Sequence, residues 1–274
     1  MTGTLGKSLR MGRLFGEDGR MVSIMFDHVI ARGLLPGLIP IEQKIGAAVN
    51  GRPDAISVQK GIADHCFAPH ATKNISLILK ASSPSPYDKG YAAILADVEE
   101  ALTRGADAIA VGCILGGKEQ ARGMEHAAAL TKEAAKWGMP VVGHFYPNGE
   151  NVPADQRENW ENVAYAARVG SEIGVDILKI HHSGDVEELS RIVEAVPAKI
   201  VLAGGNHSDK IRDYLTMAHH VVLAGGAGVA FGRTAWGYPD SASFIQAVRM
   251  IIHENASVDA AMEFLSETAG THIE

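Results

Sequence analysis

Gly174-Val175-Asp176-Ile177-Leu178-Lys179-Ile180-His181-His182-Ser183-Gly184 reads as a buried parallel strand with one ammonium set into it. Strands covered on both faces are near-continuous apolar runs, and an amine placed in one loses its hydration. Desolvation disfavours the charged form, so the Lys179 pKa should fall and free amine should be present near neutral pH. A free amine attacks carbonyl carbon and forms a Schiff base. The alternative is a lysine at a strand end whose head reaches solvent or a carboxylate.

The stretch opens on Ile173-Gly174-Val175-Asp176, and the same punctuation recurs at Arg104-Gly105-Ala106-Asp107 and Trp137-Gly138-Met139-Pro140. In each, a helix ends at a glycine suited to left-handed geometry and a strand begins within two residues. Short apolar runs at residues 22–27, 55–60, 75–81, 108–115, 140–146, 176–181, 199–204 and 228–232 predict strands. Amphipathic segments at 89–104, 118–137, 158–173, 186–195 and 208–223 predict helices between them, and a helix over 241–254 closes the series. Eight strand–helix units with parallel crossovers predict a TIM (β/α)8 barrel, with residues 1–274 as a single domain. A doubly wound open sheet is the alternative, and it typically has fewer strands.

At 274 residues the chain is long enough for one large core. It is 46% apolar with a net charge of −7, which argues against nucleic acid as a bulk partner because phosphate backbones need a basic face. Cys66 and Cys113 are too few for a disulfide framework and fit a reducing cytosol. Lys7, Arg10 and Arg13 scatter through the N-terminus without an apolar core, so no signal peptide is expected, and no run reaches the ~20 apolar residues of a membrane span. The expected location is the cytoplasm.

Barrel enzymes work at the C-terminal ends of their strands, which makes those ends a functional map. Asp27, Lys60, Tyr146, Lys179 and Gly204-Gly205 fall there, and parity groups His181 with Lys179 and His144 with Tyr146. Asp27 can hold an amine or a substrate hydroxyl; the plainer readings are an N-cap or a structural salt bridge. Tyr146, before the turn Pro147-Asn148-Gly149, can serve as general acid or base or simply pack at the mouth. Lys60 and Lys80 compete with Lys179 for the amine role. Late glycines at Gly204-Gly205 and Gly226–Gly232, with Arg233 following, match the phosphate loops after strands seven and eight. Tight turns alone would also explain them. The twelve histidines show no His-Glu-x-x-His pattern, so no catalytic metal and no cofactor are expected.

Together these residues resemble the class I aldolase family of archaeal-type fructose-bisphosphate aldolase, aminodideoxyheptulosonate synthase and the autoinducer-2 thiolase. The likeness runs in order from Phe26-Asp27-His28 through Tyr146-Pro147-Asn148-Gly149 and Asp176-Ile177-Leu178-Lys179 to Gly232-Arg233-Thr234 and 248–254. It implies Lys179 as the Schiff-base lysine, Tyr146 as the proton-transfer residue and Asp27 as the acid beside the amine. Gly204, Gly205, Gly232 and Arg233 would surround a substrate phosphate, with His28, His144, His181 and Ser183 completing the substrate site. It further implies a homo-oligomer, with decamers among the family's ring forms. Val29, Asn148 and Thr234 depart from the usual glycine, arginine and asparagine of these motifs, and His144 stands where the fructose-bisphosphate enzymes place tryptophan.

The function expected is therefore a Schiff-base aldolase of a phosphorylated ketose, most simply fructose 1,6-bisphosphate. The rivals are an aldol-type transferase or synthase on the same barrel, a barrel that binds a phosphorylated metabolite without turnover, and a metal-dependent aldolase.

Overall fold

A computed structural model describes residues 4–71, 74–205 and 210–269. Its frame is eight parallel strands: β1 Met21–Met25, β2 Ala55–Val58, β3 Ser76–Lys80, β4 Ala108–Ile114, β5 Val141–Tyr146, β6 Ile177–Ile180, β7 Lys199–Ala203 and β8 Gly228–Phe231. Each pairs with its sequence neighbour and β8 returns to β1, closing the barrel. The strands are the apolar runs of the sequence, each shortened by one or two residues at one or both ends except that β1 starts one residue early at Met21, because their backbone groups are satisfied only by a parallel neighbour on each side.

Ahead of the barrel lies α1 Leu5–Leu14, and the outer helices are α2 Ile41–Asn50, α3 Val98–Thr103, α4 Gln120–Lys136, α5 Trp160–Ile173, α6 Val186–Ala195, α7 Ile211–Leu223, α8 Ser241–Glu254 and α9 Val258–Ala269. Local chemistry sets several boundaries. Asn159 accepts from Glu161 N to start α5, and Asp185 accepts from Glu188 N to start α6. Gly174 ends α5 at φ 103°, and the other two recurring glycines, Gly105 and Gly138, are likewise at φ 67° and 58°. A side chain at these positions would be strained.

Two expected elements differ. The helix over 89–104 begins only at Val98, where Asp97 caps it by accepting from Glu100 N. Ahead of it, Ser82-Ser83 and Ala93-Ile94 form a small antiparallel ribbon, since Pro84, Pro86 and Gly90 break any helical run. After β2, the unit's helix shrinks to short turns from Lys60 to His70. The predicted start of α7 at Ser208, and Asn206, lie outside the described residues.

Two apolar layers hold the barrel. A large one, with Phe145, Leu178, Leu202 and Phe231, lies between strands and helices. A small one fills the barrel's lower interior with Met25, Ala55, Ile78, Ala108, Ala110, Val142, Ile177 and Val201, and α1 seals it from below with Leu14. Each fully buried Leu, Ile or Phe contributes roughly 1.5–3 kcal/mol. The N-terminal basic residues seen in the sequence do the fastening: Lys7 pairs with Asp176 at 2.7 Å and Arg13 with Asp107 at 2.6 Å. No helix among the described residues is long and apolar enough to cross a membrane.

Candidate active site

Climbing each strand by two residues on the inward face, apolar side chains give way to polar ones. Ile177 is followed by Lys179 and His181, Val142 by His144 and Tyr146, Ile78 by Lys80, Met25 by Asp27, and Ala55 by Ser57 and Gln59. The upper barrel is thus a polar chamber resting on an apolar floor. Exposure is 8% at Lys179, Asp27 and His144 and 5% at Lys80, so these charges are taken out of water. The Tyr146 ring lies 4.6 Å from that of His181 and 6.3 Å from that of His144.

Burial sets the protonation states. It pulls the Lys179 pKa down, with Asp27 opposing and Arg32 and Arg233 adding to the fall. It pulls Lys80 down to about 8, against Asp27 and with Lys179. His28 and His181 fall to about 4 and His144 well below the ordinary value, all chiefly by burial, so the three rings are neutral near pH 7. Burial, reinforced by Asp27, pushes the Tyr146 phenol up. For Asp27 burial acts upward, but His28, Lys179 and Lys80 outweigh it and the carboxyl ends below its usual range.

Six buried polar atoms of this chamber have no hydrogen-bond partner: His28 Nδ1, Ser57 Oγ, Gln59 Nε2, His144 Nε2, His181 Nδ1 and Ser183 Oγ. Buried polar atoms are ordinarily satisfied, and a cluster of orphans is what an oxygen-rich ligand would complete. Chemically, a buried amine with a lowered pKa beside a carboxylate is a carbonyl-addition site.

The chamber's rim joins the loops after β1 and β8. Trp236 Nε1 donates to Met25 O at 3.1 Å, and its ring meets His28 edge-on at 5.7 Å. Gly232 is required here because a Cβ would collide with the His28 ring. Arg233 Nη2 donates to Gly205 O at 2.7 Å, tying the seventh and eighth loops together, and Gly205 is at φ 63°.

The structure therefore gathers Lys179, Tyr146, Asp27, His28, His144 and His181 in one chamber, with Ser183, Gly204, Gly205, Gly232 and Arg233 on its rim. Lys60 is not among them: it starts a turn outside the barrel and pairs with Glu100 at 2.7 Å. His182 points away and meets His220 of α7 at 3.1 Å, as alternation after His181 requires. Three residues went unassigned in the sequence, whereas Lys80, weighed there for the amine role, does lie in the chamber. Ser57 and Gln59 share the inward parity of their strand, a signal that was present. Arg32, in the turn Val29–Arg32, projects its charge onto Lys179, His181 and Arg233, and no period marks it. A separate cavity of about 660 Å³ opens near the strands' N-terminal ends. Its charged lining is already paired, Arg13 with Asp107 and Arg104 with Asp64.

A family model described as DeoC/LacD family aldolase matches residues 21–237. The 2-amino-3,7-dideoxy-D-threo-hept-6-ulosonate synthase 1 of Archaeoglobus fulgidus is 30% identical, over 95% of this chain and 96% of its own. The class 1 fructose-bisphosphate aldolase of Halobacterium salinarum is 29% identical, over 90% of this chain and 95% of its own. An archaeal fructose-1,6-bisphosphate aldolase, solved with its catalytic lysine bound to the carbinolamine intermediate, superposes with TM-score 0.81 at 27% identity, covering 90% of this chain and 99% of that one.

Proposed function

The chain belongs to the DeoC/LacD aldolase family, and from that premise we propose that it is a Schiff-base aldolase of a phosphorylated ketose, with fructose 1,6-bisphosphate as substrate. Lys179 carries the reading: a buried amine with a lowered pKa, at the C-terminal end of β6, facing one carboxylate among orphaned polar atoms. The carbinolamine on the catalytic lysine of the similar archaeal aldolase supports it.

In this mechanism the Lys179 amine adds to the C2 ketone, and loss of water gives an iminium that accepts the electron pair of the breaking C3–C4 bond. Tyr146, a protonated phenol at rest, delivers its proton to C3 of the enamine and takes up the one leaving the C4 hydroxyl, so it ends the step as it began. Asp27 stays ionised throughout and orients the amine. Gly204, Gly205, Gly232 and Arg233 take a substrate phosphate, while His28, His144, His181 and Ser183 offer their free polar atoms to hydroxyls. A cytoplasmic homo-oligomer goes with this reading through the family resemblance.

The rival is an aldol-type synthase on the same lysine, and the Archaeoglobus fulgidus relative's name favours it. Borohydride reduction with fructose 1,6-bisphosphate, fructose 1-phosphate and dihydroxyacetone, read by intact and peptide mass, separates the two. The bisphosphate is expected to leave one adduct per chain on the Lys179 peptide and to release triose phosphate. The adduct should persist in EDTA, because the iminium supplies the electron sink that a Lewis acid would otherwise provide. An adduct whose turnover requires a second carbonyl compound selects the synthase. No adduct with any ketose overturns the Schiff base, and loss on chelation with rescue by zinc selects a metal-dependent aldolase.

A further inference from the structure

Lys80 is the second buried amine of the chamber, and the steps above leave it unused. It sits on β3 opposite Ala110 of β4, on the inward face above Ile78, and is 5% exposed. Among the described residues it has no hydrogen bond or close ion pair, while its charge reaches Asp27, Lys179 and His144. An amine so placed is costly to fold, and methionine would fill the same space. Among the described residues one carboxylate, Asp27, acts on both lysines, so the chamber accommodates one positive charge far better than two.

We propose that Lys80 is a catalytic residue of imine formation: its ammonium protonates the departing carbinolamine hydroxyl, and its amine recovers that proton when the iminium is hydrolysed. The inference rests on the Schiff-base reading of Lys179. Neutral Lys179 adds to the carbonyl, forming the C–N bond, and the nitrogen's extra proton passes to the new alkoxide, giving a neutral carbinolamine. The Lys80 ammonium then gives one proton to the hydroxyl, the C–O bond breaks, and water leaves as the nitrogen lone pair forms C=N⁺. The charge moves from Lys80 to the iminium, so Asp27 faces a single cation before and after.

The other candidates are in the wrong state for this donation. His28 and His181 hold a proton only near pH 4, and burial holds His144 well below its ordinary value. Asp27 is already ionised, and the Tyr146 phenol is too weak an acid. Lys80, with a pKa near 8, has both forms populated around neutrality, where proton-transfer groups work best.

The test follows the rate of adduct formation on Lys179, quenched by borohydride, in wild type, Lys80→Met and Lys80→Ala. With fructose 1,6-bisphosphate, Lys80→Met is expected to slow the adduct by about 10²–10⁴-fold, the range for positioned proton transfer. It should also erase the fall in rate as pH rises through about 8. Inhibition by inorganic phosphate should stay unchanged. Ethylamine should restore the rate of Lys80→Ala in proportion to its protonated form, which a structural role would not produce. Acetaldehyde, which needs no phosphate site, reads the same step. If wild type gives a Lys179 adduct with acetaldehyde and none with the bisphosphate, the sugar assignment fails while slowed labelling in Lys80→Met still supports Lys80. Equal rates in wild type and Lys80→Met with acetaldehyde overturn the inference, as does an adduct on Lys80 itself.

Discussion

The two ends of this barrel treat charge in opposite ways. At the N-terminal end, carboxylates at the strand entrances have partners. Asp54 accepts from Val22 N at 2.6 Å and Arg249 Nη1 at 2.9 Å and meets His253 Nε2 at 2.9 Å. Asp107 and Asp176 pair with Arg13 and Lys7 of α1. At the C-terminal end Asp27 is, among the described residues, the carboxylate that faces Lys80 and Lys179, with Arg32 and Arg233 adding to the field. One end pairs its carboxylates and so stabilises; the other leaves amines and polar atoms open and so reacts. The same substitution, a charged side chain to an apolar one, should therefore have opposite consequences at the two ends.

The largest expected effect is at Lys179. Lys179→Met should abolish the borohydride adduct and carbonyl turnover altogether, yet leave the thermal midpoint unchanged or raised, because a desolvated amine is removed. Asp54→Ala should do the reverse, losing several degrees because the Arg249 and His253 side chains lose their partner. Calorimetry alongside trapping reads both. A Lys179→Met chain that melts far below wild type would break the comparison, since it would make the amine a structural group.

Next comes Tyr146. Its phenol is held protonated by burial and by Asp27 and lies against His181. Tyr146→Phe should keep the packing and the Lys179 adduct but cut bond cleavage by about 10²–10⁴-fold. Single-turnover trapping followed by product release separates the two steps. Cleavage at the wild-type rate would hand the proton to His144 or His181, despite their neutral state.

Much of this contrast was legible in the sequence. Period-two alternation placed Lys179 with His181 and His144 with Tyr146, and the structure keeps both pairings inside the chamber. Asp27 was placed by its position at the end of an apolar run. What stayed hidden depends on contacts between distant segments. The closing role of α1 needs Asp107 and Asp176, roughly a hundred or more residues away, and nothing local marks Arg13 or Lys7 as their partners. The expected helix over 89–104 failed because its first half pairs with Ser82-Ser83 instead. Lys60 and Lys80 looked alike as strand-end lysines until tertiary structure sent one to Glu100 and the other into the barrel. Arg32 lies in a turn, where no periodicity tells which way a side chain reaches.

The smallest effect, and the sharpest on the comparison, is the pH dependence of stability at the two ends. His253 presents Nδ1 to Asp18 at 3.0 Å and Nε2 to Asp54 at 2.9 Å, so both ring nitrogens must carry protons to be satisfied. Burial opposes that charge, but the two carboxylates outweigh it and raise the His253 pKa, while Asp54 is depressed against its own burial chiefly by His253 and Val22 N. A raised histidine stabilises fully below its unfolded pKa, about 6.5, and that contribution is lost as pH rises through the folded value. A depressed carboxyl stabilises above its unfolded pKa, about 3.9, and loses its contribution as pH falls through the folded value. The advantage of wild type over His253→Gln should thus be greatest between about pH 4 and 6.5, at roughly 1–2 kcal/mol once partial exposure is allowed for. Lys80 should behave oppositely. Its folded pKa of about 8 lies below the unfolded value of about 10.4, so its ammonium is a full burden below pH 8 and a shrinking one above. Lys80→Met should therefore be more stable than wild type by a constant margin up to about pH 8, narrowing toward pH 10.4. Urea unfolding across this range measures both slopes. A Lys80→Met margin that stays flat through pH 10.4 would mean that the amine is solvated, and one that grows with pH that it is ion-paired; either would remove the unsatisfied character of the upper barrel.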